Sequence, residues 1–378
     1  MLNLIDIILV KSDPIKNQSS IRANQLIQSL SKRYSIIGLG WNRKGKQTKT
    51  ENVHNFLQLF NLRARYAYEK HGTIYLLAKV PFFWLWIFFK LCIYRPKAVH
   101  ACDLSTVLPC YIYKILFRRK LVFDIVDRYS MVYTRKNENI FFRILYSLVN
   151  PLEEYFASRS DYLLVVSDKM LSTFRTKPGK CATIMNCCED HMLSRKRTEG
   201  ASFKLLFTGH INRGRGLETL VDIMKDLKDV QLVITGKNKE INLFHKIQKI
   251  PNIKYEGFLA YDSVLDLEAS CDALIALYDL DLQSQYEYGM ANKILESMMC
   301  GLPVITNISH EIIEETKCGM TVEYQKPEQI KNAIITMRDN PELRRRYGNN
   351  GRQAFLRKYN WKNMEEKLYR VYEDLLSL

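Results

Sequence analysis

The sequence has little proline and no paired cysteine motif. Only 10 of its 378 residues are proline and 47% are hydrophobic, a composition that excludes collagen-like and disordered chains. The nine cysteines are odd in number, none is spaced as Cys-x-x-Cys, and Cys187 and Cys188 are adjacent. These features argue against a disulfide framework and a zinc site, and they predict reduced thiols and a cytoplasmic location.

The sequence also lacks an apolar run long enough to cross a membrane. The run Val80–Phe89 has ten residues, whereas a spanning helix needs roughly twenty. The segment Met1–Val10 has no basic leader and no cleavage site of small residues, so we expect a buried first strand there instead of a signal peptide. Between Lys79 and Lys90, the aromatic run fits either a helix at a membrane interface or a helix buried against a sheet.

Acidic residues are few in the first hundred positions. These hold 16 Lys and Arg against 4 Asp and Glu, a net charge of +12, while the other 278 residues carry only +4 of the total of +16. The amino-terminal part is therefore expected to face an anionic partner or surface. The pI of about 9.3 also suits a nucleic-acid-binding protein, but no recognition motif accompanies the charge, so we expect no nucleic-acid partner.

Short apolar runs alternate with longer amphipathic segments through most of the chain, which is typical of β-α-β units and a parallel sheet. A first series of strands is predicted at Leu4–Val10, Ser35–Trp41, Ala98–Ala101, Lys120–Ile125, Tyr162–Ser167 and Ala182–Met185. A second series is predicted at Phe203–Thr208, Gln231–Thr235, Ile253–Tyr255, Ala273–Leu277, Pro303–Thr306 and Met320–Val322. The expected fold class is α/β, with two doubly wound, Rossmann-like domains and a cleft at the carboxyl ends of their strands.

The domain boundaries follow from a polar stretch between the two series. We expect a first domain at 1–188, a linker at 189–202, a second domain at 203–358 and a helix at 359–378 that returns toward the first domain. Two closing helices are predicted, Pro341–Lys358, capped by Asn340, and Trp361–Leu376. A basic loop at 42–49 is either solvated or anion-binding.

The segment Asn292–Ile305 carries the strongest chemical signal. Its apolar stripe predicts a buried helix that Gly301 ends and a strand that follows Pro303. Lys293 lies in the first turn, where a cation disfavours the helix and a bound anion would explain it. One turn further, Glu296 can accept hydrogen bonds from two sugar hydroxyls.

A second segment, Phe207–Leu220, joins the first strand of the second series to its helix. Its glycines let the backbone approach a ligand, and Arg213 and Arg215 can grip phosphate oxygens. The spacing of the glycines is not that of a dinucleotide site, and no acidic ribose partner follows about twenty residues later.

Together these segments resemble the carboxyl-terminal domain of GT-B glycosyltransferases of the family 4, or group 1, type. That family has a Gly-Arg-x-x-x-x-Lys-Gly loop and a Glu-containing helix followed by Gly-x-Pro-Val, and Gly257-Phe258, Ser270-Cys-Asp272 and Tyr359-Asn-Trp361 also fall at matching positions. The resemblance implies a GT-B fold and a retaining hexosyltransferase of cell-surface polysaccharide or glycoconjugate biosynthesis. The donor would be a UDP- or GDP-linked sugar, with no cofactor besides this substrate.

The resemblance also implies roles for residues of this chain. The residues expected to bind the donor are Gly209, His210, Arg213, Arg215, Asn292, Lys293, Ile294 and Glu296. The residues expected to act in catalysis are Asp127, Arg215 and Lys293. Arg215 and Lys293 are the fixed cations that must meet the charge developing on the leaving diphosphate, and Asp127 is expected beside the reacting sugar. The acceptor side is expected at Arg22, His100 and Asp103.

The sequence departs from the family pattern at several of these positions. His210 replaces the loop arginine and Arg215 its lysine, and Tyr288 stands eight positions before Glu296, where many members have another glutamate. Val126 replaces a histidine, which leaves Asp127 as the candidate beside the reacting sugar. A GT-B sugar-nucleotide epimerase, which would need no acceptor, stays open as an alternative.

Metal and membrane are the remaining expectations. Asp279 and Asp281 form a pair that chance spacing explains, so we expect no metal site. The basic amino-terminal part and the run Val80–Phe89 predict a protein bound peripherally to the anionic inner face of a membrane. The acceptor is accordingly expected to be a polyprenyl-diphosphate-linked glycan.

Overall fold

The computed structural model describes residues 5–12, 21–41, 57–60, 68–133, 140–176, 179–192, 202–283, 285–288 and 291–377. The predicted basic loop at 42–49 and residues 193–201 of the predicted linker lie outside this part of the chain. The described residues form two units. Unit 1 holds those up to Tyr133, Ile140–Ile184 and the chain from Glu365, and unit 2 holds those from Met185 to Met364.

Unit 1 is built on a seven-stranded parallel sheet in the order β3-β2-β1-β4-β5-β6-β7. Its strands are β1 Ile7–Lys11, β2 Ile36–Trp41, β3 Leu57–Phe60, β4 Ala98–Cys102, β5 Lys120–Ile125, β6 Tyr162–Val165 and β7 Cys181–Thr183. Its first six helices are α1 Ile21–Leu30, α2 Tyr68–Tyr94, α3 Leu104–Phe117, α4 Tyr129–Tyr133, α5 Ile140–Arg159 and α6 Asp168–Ser172. β2 and β4 are buried along their whole length, as strands covered on both faces must be.

Unit 2 is built on a six-stranded parallel sheet in the order β10-β9-β8-β11-β12-β13. The strands are β8 Phe203–Thr208, β9 Val230–Thr235, β10 Ile253–Tyr255, β11 Ala273–Ala276, β12 Val304–Thr306 and β13 Gly319–Thr321. The helices are α7 Leu217–Met224, α8 Ile241–Ile247, α9 Tyr261–Ala269, α10 Gln285–Tyr288, α11 Asn292–Met299, α12 His310–Thr316, α13 Pro327–Asp339 and α14 Pro341–Arg357. A last helix, α15 Trp361–Leu376, begins in unit 2 and ends in unit 1.

The predicted fold class is confirmed, and every predicted strand is present to within a few residues. The strand β3 was not predicted, because Leu57–Phe60 is a short run without clear alternation. α14 begins where its sequence signals place it, since the Asn340 side chain accepts a hydrogen bond from the Leu343 backbone N–H at 2.9 Å.

The aromatic run Val80–Phe89 lies within α2 and divides between two faces of that helix. Phe83 and Ile87 are buried in the core of unit 1, and the Phe83 ring stacks on Trp41 at 4.9 Å between centroids. Phe82 and Phe89 are exposed. The interpretation as a core helix therefore holds for one face only. Among the described residues, no helix combines the length and the apolar character needed to cross a membrane.

Candidate functional site

A pocket of about 310 Å³ opens at the carboxyl ends of β8 and β9 in unit 2. Parallel α/β sheets bind their ligands at this edge. The residues that line the pocket are Thr208, Gly209, His210, Arg215, Thr235, Gly236, Lys237, Phe258, Leu259, Val264, Lys293 and Glu296.

Two glycines make the floor of the pocket from bare backbone. Gly209 and Gly236 have φ angles of +126° and +147°, and the Gly209 N–H donates to the Thr235 carbonyl oxygen at 2.9 Å. A Cβ atom on Gly236 would lie 1.7 Å from the Gly209 carbonyl oxygen. The two loops can approach this closely only because Gly236 has no Cβ atom.

Two cationic side chains converge on Gly209. A Cβ atom built there would lie 3.4 Å from Lys293 Nζ and 4.0 Å from Arg215 Nη1. Lys293 Nζ donates to the Thr208 carbonyl oxygen at 2.5 Å, and Arg215 Nε is buried with no hydrogen-bond partner among the described residues. The guanidinium of Arg215 lies 5.1 Å from the ring centroid of Tyr286. The N–H group at Arg215 Nε is thus left to donate a hydrogen bond to a ligand bound beside Gly209.

The electrostatics of the pocket favour an anion. Burial, and after it the nearby Arg215, lower the pKa of Lys293 to about 7, against the attraction of Glu296 and Glu268. Burial also lowers the pKa of His210, as do the surrounding cations, first Lys239 and then Arg215. Burial and nearby cations disfavour the protonated forms of Lys293 and His210 in the free protein. A bound anion would favour those protonated forms.

The start of helix α11 adds backbone donors. Its N-cap residue, Ala291, has no side chain that could bond the first N–H groups. Lys293 is the second residue of the helix, where the helix dipole opposes a positive charge. Its position is explained if the helix start and the lysine serve the same bound anion.

Behind Lys293 lie two carboxyl groups. Burial raises the pKa of Glu296, while Lys293 and a hydrogen bond with Tyr261 act in the opposite direction. Glu268 is fully buried, its pKa is raised well above the usual value by burial and by Glu296, and it accepts a hydrogen bond from Cys300 Sγ at 3.2 Å. Glu268 was not predicted as a site residue. The usable signal was an acidic residue on the same helix face as the apolar Leu265 and beside Ala269 in α9.

The structure brings five of the eight expected donor residues into the pocket, namely Gly209, His210, Arg215, Lys293 and Glu296. The other three do not line it. Arg213 has a side chain 77% exposed, 3.8 Å from a Glu240 oxygen, because the turn directs it to solvent. Asn292 is exposed, and the Ile294 side chain belongs to the core.

The far side of the pocket was not predicted as a site. It is formed by Lys237, Phe258, Leu259 and Val264, which follow β9 and β10. The Phe258 ring is 59% exposed, and Lys237 Nζ lies 4.5 Å from its centroid. The available signal was the Gly257-Phe258 pair, which falls at a position of the family pattern but was assigned no role.

In unit 1, Arg22 and His100 are engaged with buried partners. Arg22 pairs with both oxygens of Asp124, at 2.6 and 2.8 Å, and His100 lies between Asp124 (3.2 Å) and the Tyr372 hydroxyl (2.7 Å). Although burial alone would raise it, the pKa of Asp124 is lowered by Arg22 and His100. Two of the three expected acceptor-side residues, Arg22 and His100, thus tie elements of unit 1 together.

Asp103 and Asp127 both lie near Lys11. Lys11 was not among the predicted site residues. Asp103 has a φ angle of +64° at the end of β4, a strain of about 1–3 kcal/mol for a residue with a side chain. Burial raises its pKa to about 7, against the attraction of Lys11. Desolvation likewise raises the pKa of Asp127 against the same lysine.

Two sets of side chains in the described residues have metal-ligand chemistry, and each has another role. His100, Cys102 and Asp124 place ligand atoms within 4.8 Å of one another, but Arg22 occupies both Asp124 oxygens. Asp279 shapes a turn, because its Oδ1 accepts a hydrogen bond from the Asp281 N–H at 3.0 Å.

Residues 202–340 match the family described as "Glycosyl transferases group 1". An uncharacterized glycosyltransferase of Methanocaldococcus jannaschii is 25% identical over 183 residues, 46% of this chain and 46% of that protein. The N-acetylgalactosamine-N,N'-diacetylbacillosaminyl-diphospho-undecaprenol 4-alpha-N-acetylgalactosaminyltransferase of Campylobacter jejuni is 23% identical over 252 residues, 61% of this chain and 64% of that protein. The chain spans about half the length of the first curated relatives it matches.

Solved structures share the fold over nearly the whole chain. Sucrose-phosphate synthase of Thermosynechococcus elongatus superposes with a TM-score of 0.80 at 17% identity, over 99% of both chains. HepE of Anabaena, in complex with UDP, superposes with a TM-score of 0.70 at 13% identity, over 98% of this chain and 100% of that one. With its two parallel sheets and these structural neighbours, the chain has the GT-B fold, and its residues 202–340 match the group 1 glycosyltransferase family.

Proposed function

We propose that the protein transfers a sugar from a nucleotide-diphosphate donor to a glycan acceptor, with retention of the anomeric configuration. The observation that carries the proposal is the convergence of Lys293 and Arg215 on the bare backbone of Gly209. A diphosphate fits this arrangement because it needs several donors, positive charge and close approach to the chain.

The same cations account for catalysis. When the sugar leaves, negative charge builds on the diphosphate, and donors that are already in place stabilise that charge without reorganising. Lys293 and Arg215 therefore act more strongly in the transition state than in the bound donor, as a catalytic group must. No metal ion is needed for this role, so transfer is expected to persist in EDTA.

The remaining lining suits a nucleoside. Glu296 accepts hydrogen bonds from the ribose hydroxyls, while Phe258 offers a ring face to the base and Leu259 and Val264 add apolar contacts. UDP and GDP are the expected carriers. The UDP held by HepE supports this assignment by analogy of fold.

The acceptor is a lipid-linked saccharide in this proposal, and the protein works at the anionic inner face of a membrane in cell-surface polysaccharide or glycoconjugate synthesis. The net charge of +12 in the first hundred residues supports it. The name of the Campylobacter jejuni relative also mentions a diphospho-undecaprenol acceptor. Asp127, near Lys11 at the end of β5, is the residue we assign to the reacting sugar.

The proposal is tested by a screen of nucleoside diphosphates and their sugars for thermal stabilisation, followed by transfer kinetics. A ligand at a hundred times its Kd stabilises by about 2.7 kcal/mol. Glu296→Ala is expected to weaken donor binding, whereas Arg215→Ala is expected mainly to lower kcat. Wild-type kinetics in both folded variants would refute the site, and loss of transfer in EDTA with recovery in magnesium would refute the metal-free mechanism.

A further inference from the structure

Helices α2, α3 and α5 cover one face of the unit 1 sheet. Each places an apolar stripe in the core below it: Phe83, Ile87 and Leu91 from α2, Val107, Cys110 and Tyr113 from α3, and Phe156 and Ala157 from α5. These residues are at most 6% exposed. These stripes are therefore the faces by which the three helices pack on the sheet.

The same helices carry a second set of apolar side chains on their outer faces. In α2 it consists of Phe82, Leu85, Phe89 and Ile93, in α3 of Ile112, Ile115, Leu116 and Phe117, and in α5 of Ile140, Ile144, Leu148 and Leu152. Spacings of three and four residues make the α2 and α5 sets stripes along their helices. In α3, Ile115 and Leu116 follow Ile112 at the same spacings, and Phe117 ends the helix beside them. All of these side chains are 41% exposed or more.

The concentration of this set is unusual for a soluble surface. Of the 18 large hydrophobic side chains that are exposed among the described residues, the three helices carry 14: the twelve above with Tyr146 and Tyr155. Single exposed apolar residues need no explanation, but a contiguous patch marks an interaction site.

Contacts between the helices make the three stripes neighbours. Trp84 of α2 donates its indole N–H to the Ser105 carbonyl oxygen of α3 at 2.7 Å. Tyr111 of α3 and Tyr155 of α5 join their hydroxyl groups at 3.0 Å. α3 therefore lies between the other two, and the outer stripes form one surface, which we call the apolar platform.

The charges beside the apolar platform are positive. Arg118 and Arg143 are exposed, and Lys90 lies 5.9 Å from the ring centroids of both Trp86 and Tyr94. The acidic groups of α5 are turned inward: Glu153 is 1% exposed and holds Ser130, and Glu154 pairs with Arg128. A patch of aliphatic and aromatic side chains with basic neighbours suits an anionic bilayer.

We propose that the apolar platform inserts into the headgroup region of a bilayer that contains anionic lipid. This inference rests on the proposed function and deepens it, because it extends the membrane contact from one helix to three. A second copy of the chain is a poorer occupant. A two-fold dimer would bring each basic rim against its own copy.

The test is co-sedimentation of the full chain with vesicles of phosphatidylcholine, alone or mixed with phosphatidylglycerol, at low salt. The parent is expected to bind the mixed vesicles and bind the neutral ones much more weakly. Changing three stripe residues to serine is expected to lower the partition coefficient about a hundredfold. One variant carries Phe82→Ser, Leu85→Ser and Phe89→Ser, and the other carries Ile144→Ser, Leu148→Ser and Leu152→Ser.

A matched control uses exposed apolar residues elsewhere. Ile241 and Leu356 are 56% and 45% exposed and belong to unit 2, so Ile241→Ser with Leu356→Ser is expected to bind vesicles like the parent. Arg118→Glu with Arg143→Glu is expected to lower binding at least about thirtyfold, and on anionic vesicles only. Carbene footprinting of the parent needs no variant: labelling of Phe89, Leu116 and Leu148 is expected to fall when vesicles are added, and that of Leu356 is not.

Three results would overturn the proposal. The first is a parent protein that fails to bind anionic vesicles at low salt. The second is an α5 variant that binds as tightly as the parent. The third is a parent that is dimeric without lipid and becomes monomeric when the stripe residues are changed to serine. Stabilisation by UDP or GDP is measured in every variant and reports separately on the pocket of unit 2. Vesicle binding without nucleotide binding refutes the proposed function and spares the platform, and the reverse result refutes the platform alone.

Discussion

Lys293 is the side chain on which the account of the pocket depends. Burial and Arg215 bring its pKa from 10.5 to about 7 in the free protein. A bound diphosphate would favour the ammonium, so binding takes up a proton where the free lysine is neutral. We expect the affinity for a nucleoside diphosphate to be highest near pH 7 and to fall by up to roughly tenfold per unit as the pH rises above it.

Calorimetry in two buffers of different ionisation enthalpy measures this proton uptake. Lys293→Met is expected to lower the affinity and to remove its dependence on pH over the roughly two units above the pKa of the free lysine. The exposed Lys228, changed to methionine, is the control and is expected to change neither. An unchanged pH profile in Lys293→Met would exclude the lysine as the anion-binding group.

The same lysine makes a separable contribution to stability. Its pKa is lower in the folded than in the unfolded chain, so the unfolded state binds more protons between about pH 7 and 10.5. The free energy of unfolding therefore rises with pH across this interval, by at most about 1.4 kcal/mol per unit. Urea titrations of the free protein are expected to give a smaller rise in Lys293→Met, and an identical rise would contradict the pKa assignment.

The loops at strand ends decide what the sequence could and could not predict. Gly209, Lys293 and Glu296 were predicted because strand, turn and helix signals place them at one sheet edge, whereas Gly236 was not predicted. Arg213 and Arg215 were both expected to bind the donor. The positive φ angles of Gly214 (+77°) and Gly216 (+76°) shape a turn in which Arg213 is exposed and Arg215 lines the pocket. The far wall depends on how β9 and β10 meet β8, which local patterns do not contain.

Two glycines of these loops make a matched pair. Gly236 and Gly257 both have positive φ angles, but a Cβ atom would clash with the Gly209 carbonyl oxygen at Gly236 and would meet nothing within 4 Å at Gly257. Gly257→Ala is expected to cost about 1–2 kcal/mol from backbone strain alone. Gly236→Ala is expected to cost about 1–3 kcal/mol more.

Urea unfolding midpoints measure both costs. Because Gly236 also forms the pocket floor, nucleotide stabilisation is expected to fall in Gly236→Ala and to persist in Gly257→Ala. Equal unfolding midpoints in the two variants would show that the loops are free to separate and that the close approach is not required.

Helix α2 shows why hydropathy alone left two interpretations of the run Val80–Phe89. Its buried face packs on the sheet that it covers, while its exposed face is covered by none of the described elements of unit 1. A hydrophobic helix without a polar face is expected in a core, and only the packing of the neighbouring helices shows that half of this one is uncovered.

On the scale of the whole chain, the doubly wound type of both sheets was predictable because parallel α/β sheets follow few topologies. The division into units lies at Ile184/Met185 and Met364/Glu365, near the expected linker and inside the last helix. Charge is divided unevenly as well, with +12 in the first hundred residues, while the lysine and arginine that converge on one spot belong to unit 2. The proposed donor site thus lies in unit 2, and the proposed membrane surface lies in unit 1.

The most direct test of the central claim is a crystal structure of the full chain soaked with UDP and, separately, with GDP. We predict a diphosphate whose oxygens lie at about 2.7–3.1 Å from Lys293 Nζ and an Arg215 nitrogen, above Gly209, with the base beside Phe258. A nucleotide ordered elsewhere in unit 2, with Lys293 still bonded only to the Thr208 carbonyl oxygen, would contradict the account.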